Sequence, residues 1–352
     1  MYTRSFSETP DKIIENGVPV FGSFREPFRQ IDISNIKRPF GNFPLPSWIT
    51  NVRIREHLFC PFITEEFTGI IDIFDSKIFG LVEIVIWDRK TGKKYPYRHV
   101  LCLHKKLVPK STDQAVCMSF SKNRYVRINW SKKEKRASVF LNLKGDDTRP
   151  SIMAAFNVDY TRKEFVQLAT VTPAPISRRC AVSVLTSDSL DGTIIFNGTQ
   201  QGIYDSTGLL MLELRSAYYP LRTKANLIYG FGIIDGKKVS FKISTSNLDG
   251  NDTYHYNENA LFIDGEPTLL PPVKITRPKG ILGPWVIQDT ESMVDLIFHP
   301  KSDSHRKVSM LILHTNYHTL YGTFEGTLLT NKGEPISVND FSGIGKKLQL
   351  RY

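Results

Sequence analysis

Residues 209–265 read LLMLELRSAYYPLRTKANLIYGFGIIDGKKVSFKISTSNLDGNDTYHYNENALFIDG. Apolar runs at 209–214, 225–234 and 239–243 are separated by polar punctuation, and Asp235-Gly236 between the last two is a two-residue hairpin signal. The stretch predicts a β-meander. Residues two apart on a strand share a face, so Glu213 and Arg215 point one way while Leu212 and Leu214 point the other. Tyr218, Tyr219, Arg222 and Thr223 follow in the same strand and the bend after it. Two orientations stay open: the charged face is a solvated outer surface, or it looks into a barrel, where charges are costly unless paired.

The same style extends in both directions. Before the meander, strand-like runs fall at 52–55, 69–74, 80–87, 95–103, 116–120, 125–130, 137–143, 152–158 and 192–196. After it they recur at 260–263, 273–276, 285–287, 294–298, 308–314, 320–329, 336–338 and 348–352. Helical periodicity is nearly absent. The expectation is an all-β chain of two tandem antiparallel β-barrels, since closing each sheet removes exposed edges. Thr172-Pro173-Ala174-Pro175 interrupts the pattern and marks the expected junction. This gives an extended N-terminal arm over 1–45, a first barrel over 46–175 and a second over 176–352. Phe21, Phe24 and Phe28 are expected to pin the arm to the body.

Composition narrows the partners. The 352 residues suffice for two units with their own cores, and 41% hydrophobic with 23% charged residues is an ordinary globular balance. A formal net charge of +11 raises nucleic acid or an anionic membrane surface as partners. The positive residues are dispersed, however, and the densest run, Lys132-Lys133-Glu134-Lys135-Arg136, falls where a hairpin tip is expected. With no recognition helix, zinc-finger spacing or RNP-type aromatic motif, nucleic acid is set aside and peripheral membrane contact is kept open. Cys60, Cys102, Cys117 and Cys180 show no ligand spacing and read as reduced thiols of a cytosolic protein. No apolar leader precedes residue 12, so a cytoplasmic location is expected and the sequon at Asn197 reads as incidental. His314 and His318 stand four apart, roughly 13 Å along a strand, too far for one ion even with His299 added. Neither a nucleophile elbow nor a glycine-rich phosphate loop before a helix occurs, so neither a metal nor another cofactor is expected.

Several motifs together resemble a bacterial family catalogued as domain of unknown function 2804, within the tandem-lipocalin group that includes carotenoid 1,2-hydratase and AttH-like proteins. They are GSFREP (22–27), RIREH (53–57), WDRKTG (87–92), Thr172-Pro173, the run 215–223, ENALFIDG (258–265), VDLIFHP (294–300) and YGTFEG (321–326). The resemblance implies two lipocalin-like (calycin) barrels and a pocket for a hydrophobic molecule. The chain departs from the family pattern at Arg55-Glu56-His57, where Lys-Glu-Trp is usual, and at Glu213, where Asp is usual. It also has Asn226 and Tyr229 in place of tryptophans, Lys346 in place of an acidic residue, and Arg351-Tyr352 in place of Arg-Trp.

The functional expectation is a protein binding a hydrophobic or amphipathic small molecule, lipid or isoprenoid-like. Arg215, Tyr218, Tyr219, Arg222, Tyr229, Glu258 and Trp285 form its expected binding wall. An alternative is a cofactor-independent hydratase, isomerase or cyclase. Such an enzyme needs a carboxyl kept neutral by an apolar pocket to protonate carbon, and aromatic faces to stabilise the cation. Its catalytic candidates are Glu213, Glu56 and His57, although neighbours on a strand face opposite ways, so Glu56 and His57 act together only across a bulge. The competing reading pairs Glu56 and Glu213 with nearby arginines as bridges. A third possibility is a basic scaffold that docks on membranes or proteins.

Overall fold

The computed structural model describes the chain apart from residues 1, 3, 27, 42–44, 78, 103–105, 160–165, 176–177, 199–200, 311–312 and 352. Pro27 and Pro44, the end of the expected strand at Leu103, Thr199 of the sequon, Leu311 and Ile312, and Tyr352 therefore lie outside the described residues.

The protein is nearly all-β, built on two curled antiparallel sheets that form a tandem lipocalin-like arrangement. The first sheet runs, neighbour to neighbour, through Lys94–Cys102, Phe79–Asp88, Phe67–Asp75, Ile54–Thr64, Gly202–Tyr218, Cys180–Asn197, Ser151–Asp159, Arg136–Leu143, Arg124–Ser131 and Gln114–Ser121. Val166–Pro173 also pairs with Cys180–Asn197, and Gly22–Phe24 of the arm pairs with Val166–Pro173. The second sheet runs through Glu266–Leu269, Ala260–Ile263, Lys237–Ser246, Arg222–Ile234, Pro335–Arg351, Leu313–Leu329, Val294–Met310, Trp285–Gln288 and Lys274–Thr276.

The meander is present, and its hairpin has the expected chemistry. Ile234 pairs with Lys237 across Asp235 (φ 49°) and Gly236 (φ 75°), the double left-handed turn that suits the twist of a hairpin. The charged run at 132–136 likewise lies at the tip joining Arg124–Ser131 to Arg136–Leu143. Strand lengths differ from expectation. The runs read separately at 192–196 and 294–298 belong to strands of 18 and 17 residues, whereas the single strand expected at 308–314 falls on the end of Val294–Met310 and the start of the next strand, Leu313–Leu329, which pair antiparallel. Polar stretches such as Lys301-Ser302-Asp303-Ser304 are strand interiors with one bulge at Pro300/Ser302, not turns. The strand expected at 52–55 runs from Ile54 to Thr64 and passes through Pro61. Pairing to Gly202–Tyr218 is recorded at Phe59 and Phe62 but not between them, where the proline has no N–H to give.

The proline cluster at 172–175 closes a hairpin inside the first sheet. The chain changes sheets later, between Tyr218 and Arg222, after the two long strands Cys180–Asn197 and Gly202–Tyr218 have joined the first sheet.

Each sheet has its own apolar core. The first is filled by residues such as Leu58, Phe62, Ile84 and Leu212, together with Phe24, Phe28, Ile31 and Ile33 of the arm. The second is filled by Phe241, Trp285, Phe298, Phe324 and their neighbours. A third cluster lies between the sheets: Phe59, Ile70, Val85, Trp87 and Met211 from the first meet Tyr229, Phe231, Phe262, Tyr321 and Ile344 from the second. The strands at this contact are therefore buried on both faces. Arg89 of the WDRKTG turn fastens the same contact, donating to the carbonyls of Thr64 and Glu65 and to Ser342 Oγ.

A Cβ at Gly236 meets nothing within 4 Å, so the position tests backbone conformation alone. Gly236→Val is expected to lower stability by about 1–2 kcal/mol in urea denaturation, the penalty for a β-branched residue in the left-handed region.

Candidate functional site

The face carrying Glu213 and Arg215 looks neither into a barrel nor into solvent. It is pressed against the second sheet, where Glu213, Arg215, Lys242 and Glu258 have side chains 10% exposed or less. Lys242 Nζ lies 2.7 Å from Glu213 Oε1 and 2.7 Å from Glu258 Oε2. Arg215 Nη1 donates to the same Glu258 oxygen. Ser183 Oγ and Tyr229 Oη complete the cage, donating to Glu213 at 2.9 and 2.6 Å. Two carboxylates and two cations thus neutralise one another out of water. Burial pushes Glu213 toward protonation, but the charges of Lys242 and Arg215 and the hydrogen bonds of Lys242 and Tyr229 outweigh it, leaving the carboxyl at about 2. Asp249 at the edge of the cluster is raised to about 6 by burial and then by the charge of Glu258.

Further ion pairs cross the same contact. Asp72 accepts from His57 Nε2 and from Lys346 Nζ, both at 2.5 Å, and Lys346 Nζ stands 4.0 Å from the Phe59 ring centroid. The two family departures His57 and Lys346 therefore meet on one carboxylate. Glu83 binds Arg98 Nε at 2.5 Å within its own sheet and Arg306 Nη1 at 2.8 Å across the contact. Register explains how these groups line up. Glu83 pairs with Asp72, Asp72 with Phe59, and Phe59 with Glu213, so the acids form one transverse row on the first sheet. On the second sheet, Lys242 pairs with Tyr229 and Tyr229 with Ile344, two residues before Lys346, so the cations lie on a diagonal. A two-residue step of roughly 6.8 Å over two strand spacings of roughly 9.6 Å sets the sheets about 35° apart, close to aligned sheet packing.

Glu56 has different surroundings. It points away from its neighbour His57, on the face shared with Leu58 and Cys60, and opens on a pocket of about 250 Å³ lined also by Asp75, Lys77, Lys106 and Lys110. The carboxyl is 2% exposed, and the ion pair it makes, with Lys110 Nζ, is 3.8 Å long, beyond hydrogen-bond reach. Burial raises its pKa above the usual carboxylate value, and the charges of Lys106, Lys110 and Lys77 offset only part of that rise. On the strand beside it, Ser216 is the register partner of Glu56 and Tyr218 lies two residues on. The hydroxyls of both are buried without a hydrogen-bond partner among the described residues.

Of the residues expected from sequence, the structure joins Glu213, Arg215, Tyr229 and Glu258 in one cluster. It separates the others. Tyr218 is buried in the first core, and Tyr219 stacks on Phe74 at 6.2 Å. Arg222 is exposed at the start of its strand, and Trp285 is buried in the second core. These four do not form a common wall, because the bend at 219–221 and the change of sheet send them to different compartments. Glu56 and His57 face opposite sides, so they share no proton path. Sequence reasoning missed Lys242, Asp72 and the lysines around Glu56. Lys242 sits in the alternating run Val239-Ser240-Phe241-Lys242-Ile243, which reads as a half-solvated strand until a second sheet covers it.

The family described as "Domain of unknown function (DUF2804)" matches residues 6–352. No curated protein matches the sequence. Among solved structures, a protein described as AttH from Nitrosomonas europaea is similar with a TM-score of 0.51 at 12% identity, covering 88% of this chain and 97% of that one. CghA is similar with a TM-score of 0.48 at 12% identity, covering 85% and 88%. Kievitone hydratase from Nectria haematococca gives 0.44 at 10% identity, covering 85% and 88%. The first of these likenesses shows a shared fold.

Removing one partner from a buried ion cluster leaves the others uncompensated, so Lys242→Met is expected to cost about 3–5 kcal/mol in urea denaturation. The acid dependence of Glu213 has a definite sign. Its folded pKa of about 2 lies below the ordinary value of 4.5, so its contribution is complete above pH 4.5 and is lost as pH falls toward 2. The wild-type urea midpoint should drop more steeply across that window than that of Glu213→Gln.

Proposed function

The chain belongs to the family described as domain of unknown function 2804, matched over residues 6–352, and on that premise we propose that it binds an amphipathic small molecule at the Glu56 pocket. The observation carrying this reading is a carboxyl with raised pKa, open to a pocket and, among the described residues, with no ionic partner within hydrogen-bond reach, whereas Glu213 and Asp72 are tightly paired. The criterion that separates a ligand or acid–base group from a structural bridge thus selects Glu56 over Glu213.

The pocket favours a compact ligand. Its 250 Å³ lies just below the usual 300–1,000 Å³ range of small-molecule sites, and the core behind it is already filled in part by Phe28, Ile31 and Ile33 of the arm. Lys77, Lys106 and Lys110 suit an acceptor-rich or anionic head group, so the charged end of an amphipathic molecule is the part that this pocket would hold.

A second reading is supported by the raised pKa itself: a cofactor-independent hydratase or isomerase with Glu56 as the acid. The neutral carboxyl would give its proton to an alkene carbon. In hydration, water would capture the cation and return a proton to the carboxylate, closing the cycle. In isomerisation, loss of a neighbouring C–H proton to the same carboxylate would do so.

Native mass spectrometry of protein from its own source, followed by organic extraction, tests both readings. A stoichiometric amphipathic compound, retained by wild type and by Glu213→Gln but lost in Lys110→Gln, is the expected result. Incubating that compound with wild type and Glu56→Gln separates a carrier, which leaves it unchanged, from an enzyme, which converts it only when Glu56 is present. An empty protein that also takes up no hydrophobic acid would overturn the proposal.

Stability supplies an independent check. Because the folded pKa of Glu56 is raised, the native state holds its proton more tightly than the unfolded chain does. Its favourable contribution is therefore complete below pH 4.5 and is lost as pH rises through the folded value. Glu56→Gln should be more stable than wild type at pH 7, with the gain fading toward pH 4.

A further inference from the structure

The second sheet has a mouth of its own, chemically unlike the Glu56 pocket. A cavity of about 430 Å³ is lined by Lys224, Asn226, Thr245, Arg277, Lys347 and Gln349, among others. Strand alternation places these groups on the face turned toward the second core: Asn226 shares its face with Ile228, and Thr245 shares its face with Ile243. Lys347 opposes Asn226 in register, and Lys224 opposes Gln349. Arg277 closes the floor, its guanidinium 4.1 Å from the Trp285 ring centroid and donating to Asn226 Oδ1. Among the described residues no carboxylate lines the cavity, and Arg277 Nε is buried without a hydrogen-bond partner.

Three cations brought together without an acid repel one another, an arrangement that a bound anion relieves. Their effect is visible in Lys347, lowered first by burial and then by the charges of Arg277 and Lys224. From this geometry we propose that the mouth of the second sheet is a binding site for a phosphomonoester. A phosphomonoester carries a charge of about −1.5 to −2 near neutral pH and three acceptor oxygens, matching the Lys224, Lys347 and Arg277 donors. The volume leaves room for an organic body beyond the phosphate, stacked toward Thr245 and Gln349. A carboxylate of single charge would satisfy only part of the cluster. The site is separate from Glu56 and does not depend on that reading.

The test is calorimetric titration of the whole protein at low salt with inorganic phosphate, phenyl phosphate and phenol, alongside co-sedimentation with vesicles containing phosphatidic acid. Lys224 is exposed and Lys347 half-buried, so Lys224→Gln and Lys347→Gln are the variants of choice, and Lys332→Gln, exposed and outside both pockets, serves as the control. The expected result is saturable binding of phenyl phosphate but not phenol, weakened about ten-fold or more by each lysine substitution at the mouth and unaffected by Lys332→Gln. Binding of phenyl phosphate with no vesicle association assigns the ligand to a free phosphorylated metabolite. Vesicle association lost in Lys347→Gln assigns it to a lipid head group. No saturable binding in either arm, or equal binding by wild type and both mouth variants, would overturn the proposal.

Discussion

The fold depends on burying a row of acids against a diagonal of cations. Asp72, Glu83 and Glu213 on the first sheet face Lys346, Arg306 and Lys242 on the second, and Asp188 faces Lys238 at 3.6 Å. Apolar contact between Phe59, Trp87, Tyr229 and Tyr321 holds the sheets together, but it is non-directional. The charges supply the register. Sliding one sheet by a single pair of residues would leave a buried carboxylate against an apolar side chain, which is far costlier than losing a surface bridge. The charge pairs therefore favour one alignment of the two sheets.

That constraint also sorts the interior carboxyls by role. Glu213 and Glu258 share Lys242 and Arg215, and Asp72 is held between His57 and Lys346, so these groups stay ionised and fixed. Glu56 escapes the arrangement because its side chain points the other way, toward a pocket at the end of the first sheet. Two successive residues, Glu56 and His57, thus serve different compartments through strand alternation alone. The second sheet keeps a further set of polar groups at its own mouth, where cations rather than acids dominate.

How much of this was legible follows from what a period of two can carry. The alternation of Leu212, Glu213, Leu214 and Arg215 gave the shared face of the charged pair, and Asp235-Gly236 gave the hairpin. Alternation assigns a residue to a face but is silent on what covers that face, so the contact between sheets was invisible and the Glu213 face was read as either solvent or lumen. Lys242, Asp72 and Arg306 are buried, yet nothing in their local sequence marks them so, for the same reason. The departures at His57 and Lys346 were visible singly, while their meeting on Asp72 needed the pairing of strands far apart in sequence. Strand lengths were underread because polar interiors such as 301–304 mimic turns when the sheet is long enough to reach past the core.

Carbon-13 NMR of protein labelled at glutamate side-chain carboxyls, titrated with pH and assigned with Glu56→Gln and Glu213→Gln, tests this division most directly. The account predicts that the Glu56 signal titrates above the ordinary value of 4.5 and that the Glu213 signal remains ionised until well below it, near 2. A Glu56 that titrates at or below the ordinary value, or a Glu213 that titrates above it, would contradict the account.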